Sequence, residues 1–170
     1  MPNPLPSSDD TAEAASGLRA YSRSLPMALL RAREAVMQQF RPTLRRHGVT
    51  EQQWRVLRAL HSRNGLEVTE LARATCLLPP SLSRILRDLE ARKLVERRPV
   101  DNDLRRARIS IAPNGVALIE EVAPDSEAIY VEITRRFGAA RLAELQGMLA
   151  ALEVALADMG GDPEGQGAED

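Results

Sequence analysis

Thr69-Glu70-Leu71-Ala72-Arg73-Ala74-Thr75-Cys76-Leu77-Leu78-Pro79-Pro80-Ser81-Leu82-Ser83-Arg84-Ile85-Leu86-Arg87-Asp88-Leu89 reads as two short helices separated by a turn. Leu71, Ala72 and Thr75 share one side of the first helix, Cys76-Leu77-Leu78 interrupts it, and the second opens near Pro79-Pro80, where the missing N–H groups are tolerated. Leu82, Ile85, Leu86 and Leu89 then recur at three- and four-residue spacing, which gathers them on one face. Ser81, Ser83, Arg84, Arg87 and Asp88 fall largely on the other. One face is core; the other is a contact surface.

On the C-terminal side, Leu94 to Arg98 and Ala107 to Ile111 are short strand-like runs around a polar segment, 99–106, which predicts a hairpin with a long charged tip. On the N-terminal side, Thr50 and Gln53 form a capping box that opens a helix with Trp54, Val56, Leu57 and Leu60 facing inward. Before it, Leu29, Leu30, Val36, Met37, Phe40 and Leu44 mark a helix from Leu25 to Arg46 that Gly48 ends and Pro42 is expected to kink or divide. Beyond the hairpin a helix runs from Pro113 through Val116, Ile119, Val122, Ile129 and Ile133, with a kink expected at Pro124. Gly138 separates it from a last helix carrying Leu142, Leu145, Met148, Leu149, Leu152 and Leu156. That is more apolar surface than a terminal helix needs alone, so it is expected to pack on a second subunit.

Composition limits the function. At 170 residues the chain reads as one domain, and its 44% apolar and 28% charged residues are an ordinary soluble balance. No apolar run approaches the roughly 20 residues of a membrane span, and 1–18 has neither a basic start nor an apolar core, so a cytoplasmic protein without membrane contact is expected. A single cysteine excludes an internal disulfide, and with His47 and His61 it offers no recognisable metal set; no metal or cofactor is expected. No nucleophile triad, phosphate-binding glycine loop or carboxylate dyad has supporting context, so no catalytic residue is assigned and an enzyme is not expected.

The net charge of -1 conceals a segregation along the chain: -3 over 1–18, +8 over 19–63, -1 over 64–80, +4 over 81–110 and -9 over 111–170. Of the 23 basic residues, 22 are Arg, the side chain suited to forked contacts with phosphate. Two helices, a turn and a hairpin make a winged helix-turn-helix, in which a helix enters the major groove and the hairpin reaches the neighbouring minor groove or phosphates. The DNA-contacting candidates are therefore Ser81, Ser83, Arg84 and Arg87 on the helix, with Arg105 and Arg106 at the tip of the wing and Asp103 near enough to brace one of them.

Gly48-Val49-Thr50, Gln53-Trp54, Val56-Leu57, Glu70-Leu71-Ala72, Leu82-Ser83-Arg84-Ile85-Leu86, Leu89-Glu90, Leu94-Val95, Arg97, Asp103 and Arg105-Arg106 together resemble the MarR family of transcriptional regulators. Leu25 to Met37, Glu51 to Leu60 and Cys76-Leu77-Leu78 resemble its branch that regulates homoprotocatechuate degradation. The resemblance spans about 25 to 157. It implies a mainly α protein with a small β-hairpin wing, and an obligate homodimer whose helical dimerisation region draws on both chain ends. It also implies binding to double-stranded DNA at a pseudo-palindromic operator, and an effector cleft between the dimerisation and DNA-binding regions. The expected layout is a disordered arm at 1–18, a dimerisation helix at 19–48, the winged helix-turn-helix at 49–112, C-terminal dimerisation helices at 113–159 and a disordered tail at 160–170. Three departures stand out: Lys93 where the family often has Gly, Ala112 where it usually has a capping Thr, and Pro79-Pro80 where the helix start is usually more polar.

Effector candidates follow from charge among apolar neighbours. Arg31 shares a helix face with Met27 and Ala35, and a buried guanidinium there needs an anion. A small aromatic carboxylate fits: its acid on Arg31, its ring on Met27 or on the indole of Trp54. The alternatives are that Arg31 or Arg33 pairs with a carboxylate of the partner chain, and that Trp54 is core. Cys76, between Thr75 and Leu77, is expected to be buried rather than a peroxide-sensing thiol. The functional expectation is a repressor of an aromatic-acid catabolic operon, released by a phenolic or phenylacetic acid; the alternatives are a winged-helix protein-interaction module and a redox-responsive regulator acting through Cys76.

Overall fold

The computed structural model describes residues 21–100 and 103–157. After a 3-10 turn at Tyr21–Arg23, the elements are α1 (Leu25–Arg46), α2 (Glu51–Ser62), β1 (Leu66–Glu67), α3 (Val68–Thr75), α4 (Pro79–Ala91), β2 (Val95–Val100), β3 (Asp103–Ile111), α5 (Pro113–Phe137) and α6 (Ala139–Ala157). This is a winged helix-turn-helix: α3 and α4 are the helix pair, and β2 and β3 the wing. The arm and tail expected at 1–18 and 160–170 lie outside the described residues.

The chain divides into two compact units, one ending at Pro124 and one beginning at Asp125. The first holds the core. Phe40 and Leu44 from α1, Val56, Leu57 and Leu60 from α2, Leu71 from α3, Leu82, Ile85, Leu86 and Leu89 from α4, Ile109 from β3, and Ile119 and Val122 from α5 are all buried. Each such side chain contributes about 1.5–3 kcal/mol through removal of apolar area from water. The second unit comprises the last part of α5 and all of α6, which has no buried residue.

Local chemistry accounts for the helix boundaries. The Thr50–Gln53 capping box forms as expected, with Gln53 N–H donating to Thr50 Oγ1 at 3.2 Å and Thr50 N–H to Gln53 Oε1 at 2.8 Å. Three helices close with the paired bonds of a Schellman motif. At the end of α1, Val49 N–H reaches the Leu44 carbonyl and Gly48 N–H the Arg45 carbonyl, with φ +67° at Gly48. Cys76 (φ 50°) takes the left-handed position after α3, and Lys93 (φ 57°) takes it after α4. The left-handed exit is thus retained at Lys93 despite the absent glycine.

Four expectations need correction. Pro42 does not divide α1, which runs unbroken from Leu25 to Arg46; buried Phe40, Thr43 and Leu44 flank it and hold the final turn against the lost backbone donor. The wing is longer and its turn shorter than the polar composition implied, because β3 begins at Asp103 and takes in 104–106. A third strand, β1, gives the sheet order β1-β3-β2, with Leu66 opposite Ile109 and Glu67 opposite Arg108. Cys76 is exposed, at the left-handed residue that closes α3.

The wing is fastened to α5 by close backbone approach. Ala112 N–H donates to the Leu94 carbonyl at 3.0 Å, and a Cβ on Gly115 would run into that same oxygen and into Ile111 Cγ1. Only glycine fits there. Ala112, which has no side chain for a cap, is itself buried at this junction.

Candidate nucleic-acid interface and effector region

The recognition helix α4 separates its faces cleanly. Leu82, Leu86 and Leu89 are fully buried and Ile85 nearly so, while Ser81, Ser83, Arg84 and Arg87 are all exposed. Among the described residues neither Arg84 nor Arg87 has an ion-pair partner, so each fork is available to a phosphate or a guanine edge. Asp88, the acidic residue on this surface, is engaged elsewhere: it accepts from Gln53 Nε2 at 2.6 Å and lies 3.7 Å from Arg92. With Pro79 and Pro80 opening the helix, Ser81 is its first residue with a backbone N–H to offer an anion.

Arg105 and Arg106 stand in β3 rather than at the loop tip, a correction to their expected place; their side chains, and the proposed brace from Asp103, lie outside the described residues. Two wing arginines were missed. Arg98 and Arg108 are direct cross-strand partners, and both are exposed. Like charges placed opposite one another destabilise an antiparallel pair and are relieved by an anion. Period-two alternation along both strands would have placed them on the outer face. Arg98 is partly offset by Glu96 at 3.0 Å. Glu70, at the start of α3, is held below the usual carboxylate range, first by the backbone N–H of Glu67 and then by Arg63, Arg108 and Arg73.

In the effector region, Arg31 is exposed, and Met27 and Trp54 are half-buried. Trp54 is thus neither full core nor open surface. α1 and the start of α2 form a cleft of about 290 Å³ between Arg41, Leu44 and Arg45 on one side and Val49, Thr50 and Glu51 on the other. None of Arg31, Met27 and Trp54 lines it. Arg33 finds its carboxylates within its own chain, at Glu34 (2.8 Å) and Glu51. Arg41 pairs with the same two, at 2.7 and 3.0 Å, and its hydrogen bond is the leading cause of the lowered Glu34 pKa. Sequence reasoning sought that anion in a partner chain because helical spacing does not report which helix ends meet. Near the end of α1, His47 Nδ1 lies 3.1 Å from Glu121 of α5.

A family model described as MarR family matches residues 47–106, the segment that follows α1 and ends within the second strand of the wing. The homoprotocatechuate degradative operon repressor of Escherichia coli is 40% identical over 126 residues, covering 74% of this chain and 85% of that protein. The chain belongs to the MarR family. As a MarR-family protein it is a transcriptional regulator and not an enzyme. Among solved structures, transcriptional regulator PA4135 is 40% identical with a TM-score of 0.75, covering 76% of this chain and 96% of that one. NadR in complex with 4-hydroxyphenylacetate is 34% identical with a TM-score of 0.69, covering 89% and 97%. Among the described residues no helix is long and apolar enough to cross a membrane, and no cluster of three or more His, Cys, Asp or Glu could hold a metal ion.

Proposed function

We propose that this protein is a homodimeric repressor that covers a pseudo-palindromic operator in double-stranded DNA and is released by a small phenolic or phenylacetic acid. The observation that carries the reading is the exposed face of α4, where Ser81, Ser83, Arg84 and Arg87 meet solvent while the opposite face is sealed in the core. Two such helices about 34 Å apart enter successive major grooves, and Arg105 and Arg106 of each wing follow the backbone or minor groove beside them. The relatives support an aromatic-acid catabolic operon and a cytoplasmic site of action: one represses the homoprotocatechuate degradative operon, and NadR has been crystallised with 4-hydroxyphenylacetate. An acid that favours a dimer of different spacing draws the population off DNA, by no more than its differential affinity.

A duplex selected from a random library by the protein itself provides the test. Binding should weaken steeply with salt as phosphate counterions are released. Absence of DNA binding at low salt would instead favour a protein-docking role for the basic face. For the effector, calorimetry with a panel of phenolic and phenylacetic acids should give heats that Arg31→Ala removes. Equal heats from both proteins would eliminate Arg31 as the clamp and leave its carboxylate partner to be sought elsewhere. A second reading is favoured by one observation, the exposed thiol of Cys76. If the protein responds to peroxide, Cys76→Ser should abolish the release of DNA; an unaltered response excludes redox control through this residue.

A further inference from the structure

Glu51, the first residue of α2, has a side chain 16% exposed and meets three guanidinium groups. Arg33 and Arg41 reach it from α1, and Arg55 reaches it from one turn further along α2, at 3.0 Å. The Arg55 fork is divided: NH2 holds Glu51 while NH1 donates to the backbone carbonyl of Thr75 at 2.8 Å. Thr75 is fully buried and ends α3, with its hydroxyl bonded to the Leu71 carbonyl at 2.6 Å. The next residue, Cys76, takes the left-handed backbone that begins the turn into α4. A single guanidinium therefore joins a carboxylate clamped on α1 to the carbonyl where the helix-turn-helix changes direction. A second link from the same turn of α2, Gln53 Nε2 to Asp88, reaches α4 itself.

We propose that Arg55 is a positioning residue for the recognition helix, and that Arg33 and Arg41, Glu51, Arg55 and the Thr75 carbonyl form the path by which events at α1 reach the DNA-binding face. Three features favour a relay over a static brace. Glu51 is shared, so an anion that draws away Arg33 and Arg41 leaves its charge to Arg55 alone and shifts the fork. The fork is planar, so a shift toward Glu51 lengthens the bond to Thr75. The turn it holds contains a non-glycine residue at positive φ, a strained conformation that moves when a restraint is lifted. Only the identity of the triggering anion rests on the ligand-responsive reading above; the path itself is built from contacts within this chain.

The test compares wild type, Arg55→Met and Arg55→Lys on a labelled duplex selected by the wild-type protein, with and without 4-hydroxyphenylacetate as the probe, together with thermal melts. Met keeps the stem and removes the fork; Lys keeps a charge for Glu51 but cannot bridge both acceptors. The expected result is that the acid lowers wild-type affinity by about tenfold, within the usual range of allosteric coupling, while both variants still bind the duplex at low salt and their ratio with and without acid collapses toward one. A brace would lower the melting temperature and leave the ratio unchanged; a wild-type ratio in either folded variant overturns the relay. If wild type itself ignores the acid, the effector class fails, and the relay is decided by an acid-free cycle of Arg33→Met, Arg55→Met and the double variant on duplex affinity. Non-additivity of about threefold or more supports the path, and additivity overturns it.

Discussion

The helices α4 and α6 both carry leucine at helical spacing, yet their apolar residues meet different surroundings. Leu82, Ile85, Leu86 and Leu89 of α4 are covered by their own chain, whereas α6 leaves Leu145, Met148, Leu149, Val154 and Leu156 exposed. The contrast recurs inside α1: Leu25, Leu29, Leu30 and Val36 are exposed, and Phe40 and Leu44 are buried. Among the described residues, and apart from Leu78 in the turn before α4, the winged region covers its large hydrophobic side chains within one chain and presents charge to solvent. Both ends of the described chain present hydrocarbon instead, which is the surface chemistry of an interaction face. On the proposed reading, the first surface addresses phosphate and the second addresses another subunit.

The sharpest challenge to this contrast is a pair of truncations. Leu86→Ala, in the closed core, should cost about 2–5 kcal/mol, read as a lowered urea midpoint. Leu149→Ala should leave the unfolding of a monomer nearly unchanged and raise the subunit dissociation constant in sedimentation velocity. Equal, concentration-independent losses from both would remove the distinction. Next in size, Arg84→Ala and Arg87→Ala should each weaken binding to the selected duplex by about 1–3 kcal/mol with an unaltered melting temperature, in contrast to Leu149→Ala, which acts through assembly.

Smaller effects probe the backbone and charges of the winged region. Lys93→Gly relieves the left-handed position after α4 and should stabilise the fold by about 1 kcal/mol, read as a higher denaturant midpoint; a loss would mean that the lysine side chain compensates for its strain. Acid should act last. Glu34, held by Arg41, and Glu70, held by the Glu67 N–H, both titrate below the ordinary carboxylate value in the folded chain. Their contribution is complete above the unfolded carboxylate pKa of about 4.3 and disappears as pH falls through the lowered folded values. The melting temperature should therefore be flat from pH 7 to about 5 and decline below about 4.5. A decline already present between pH 7 and 6 would implicate other groups. In the second unit Glu132 is likewise drawn down, to about 2, by hydrogen bonds from Arg135 and Arg136.

Much of the winged region was legible in advance because its signals are local. The capping box at Thr50 and Gln53, the proline start of α4 and the spacing of Leu82, Ile85, Leu86 and Leu89 each lie within one or two turns of chain. The two-residue strand β1 was not legible: Leu66 and Glu67 are too few to show alternation, and they become a strand only because Ile109 and Arg108 lie beside them. Arg105 and Arg106 read as loop because they are polar, whereas β3 already begins at Asp103 and carries them, opposite a shift of register between Pro99 and Val100 that composition does not reveal. Cys76 read as buried from its apolar neighbours, whereas it is exposed and closes α3 in the left-handed conformation, a backbone position that neighbouring residue types do not reveal. Glu51 gave only the local signal of its i,i+4 spacing to Arg55, since the other two of its three arginines stand on another helix.

Amphipathic periodicity, capping residues and prolines were enough to place the helices, the turn of the helix pair and the polar face of α4, because each depends on neighbours within a few residues. Which arginines are neutralised, where the strands of the wing begin and which leucines stay uncovered depend on groups far apart along the chain. Those are properties of packing, and they become defined only once distant segments compete for the same carboxylates, backbone partners and apolar surface.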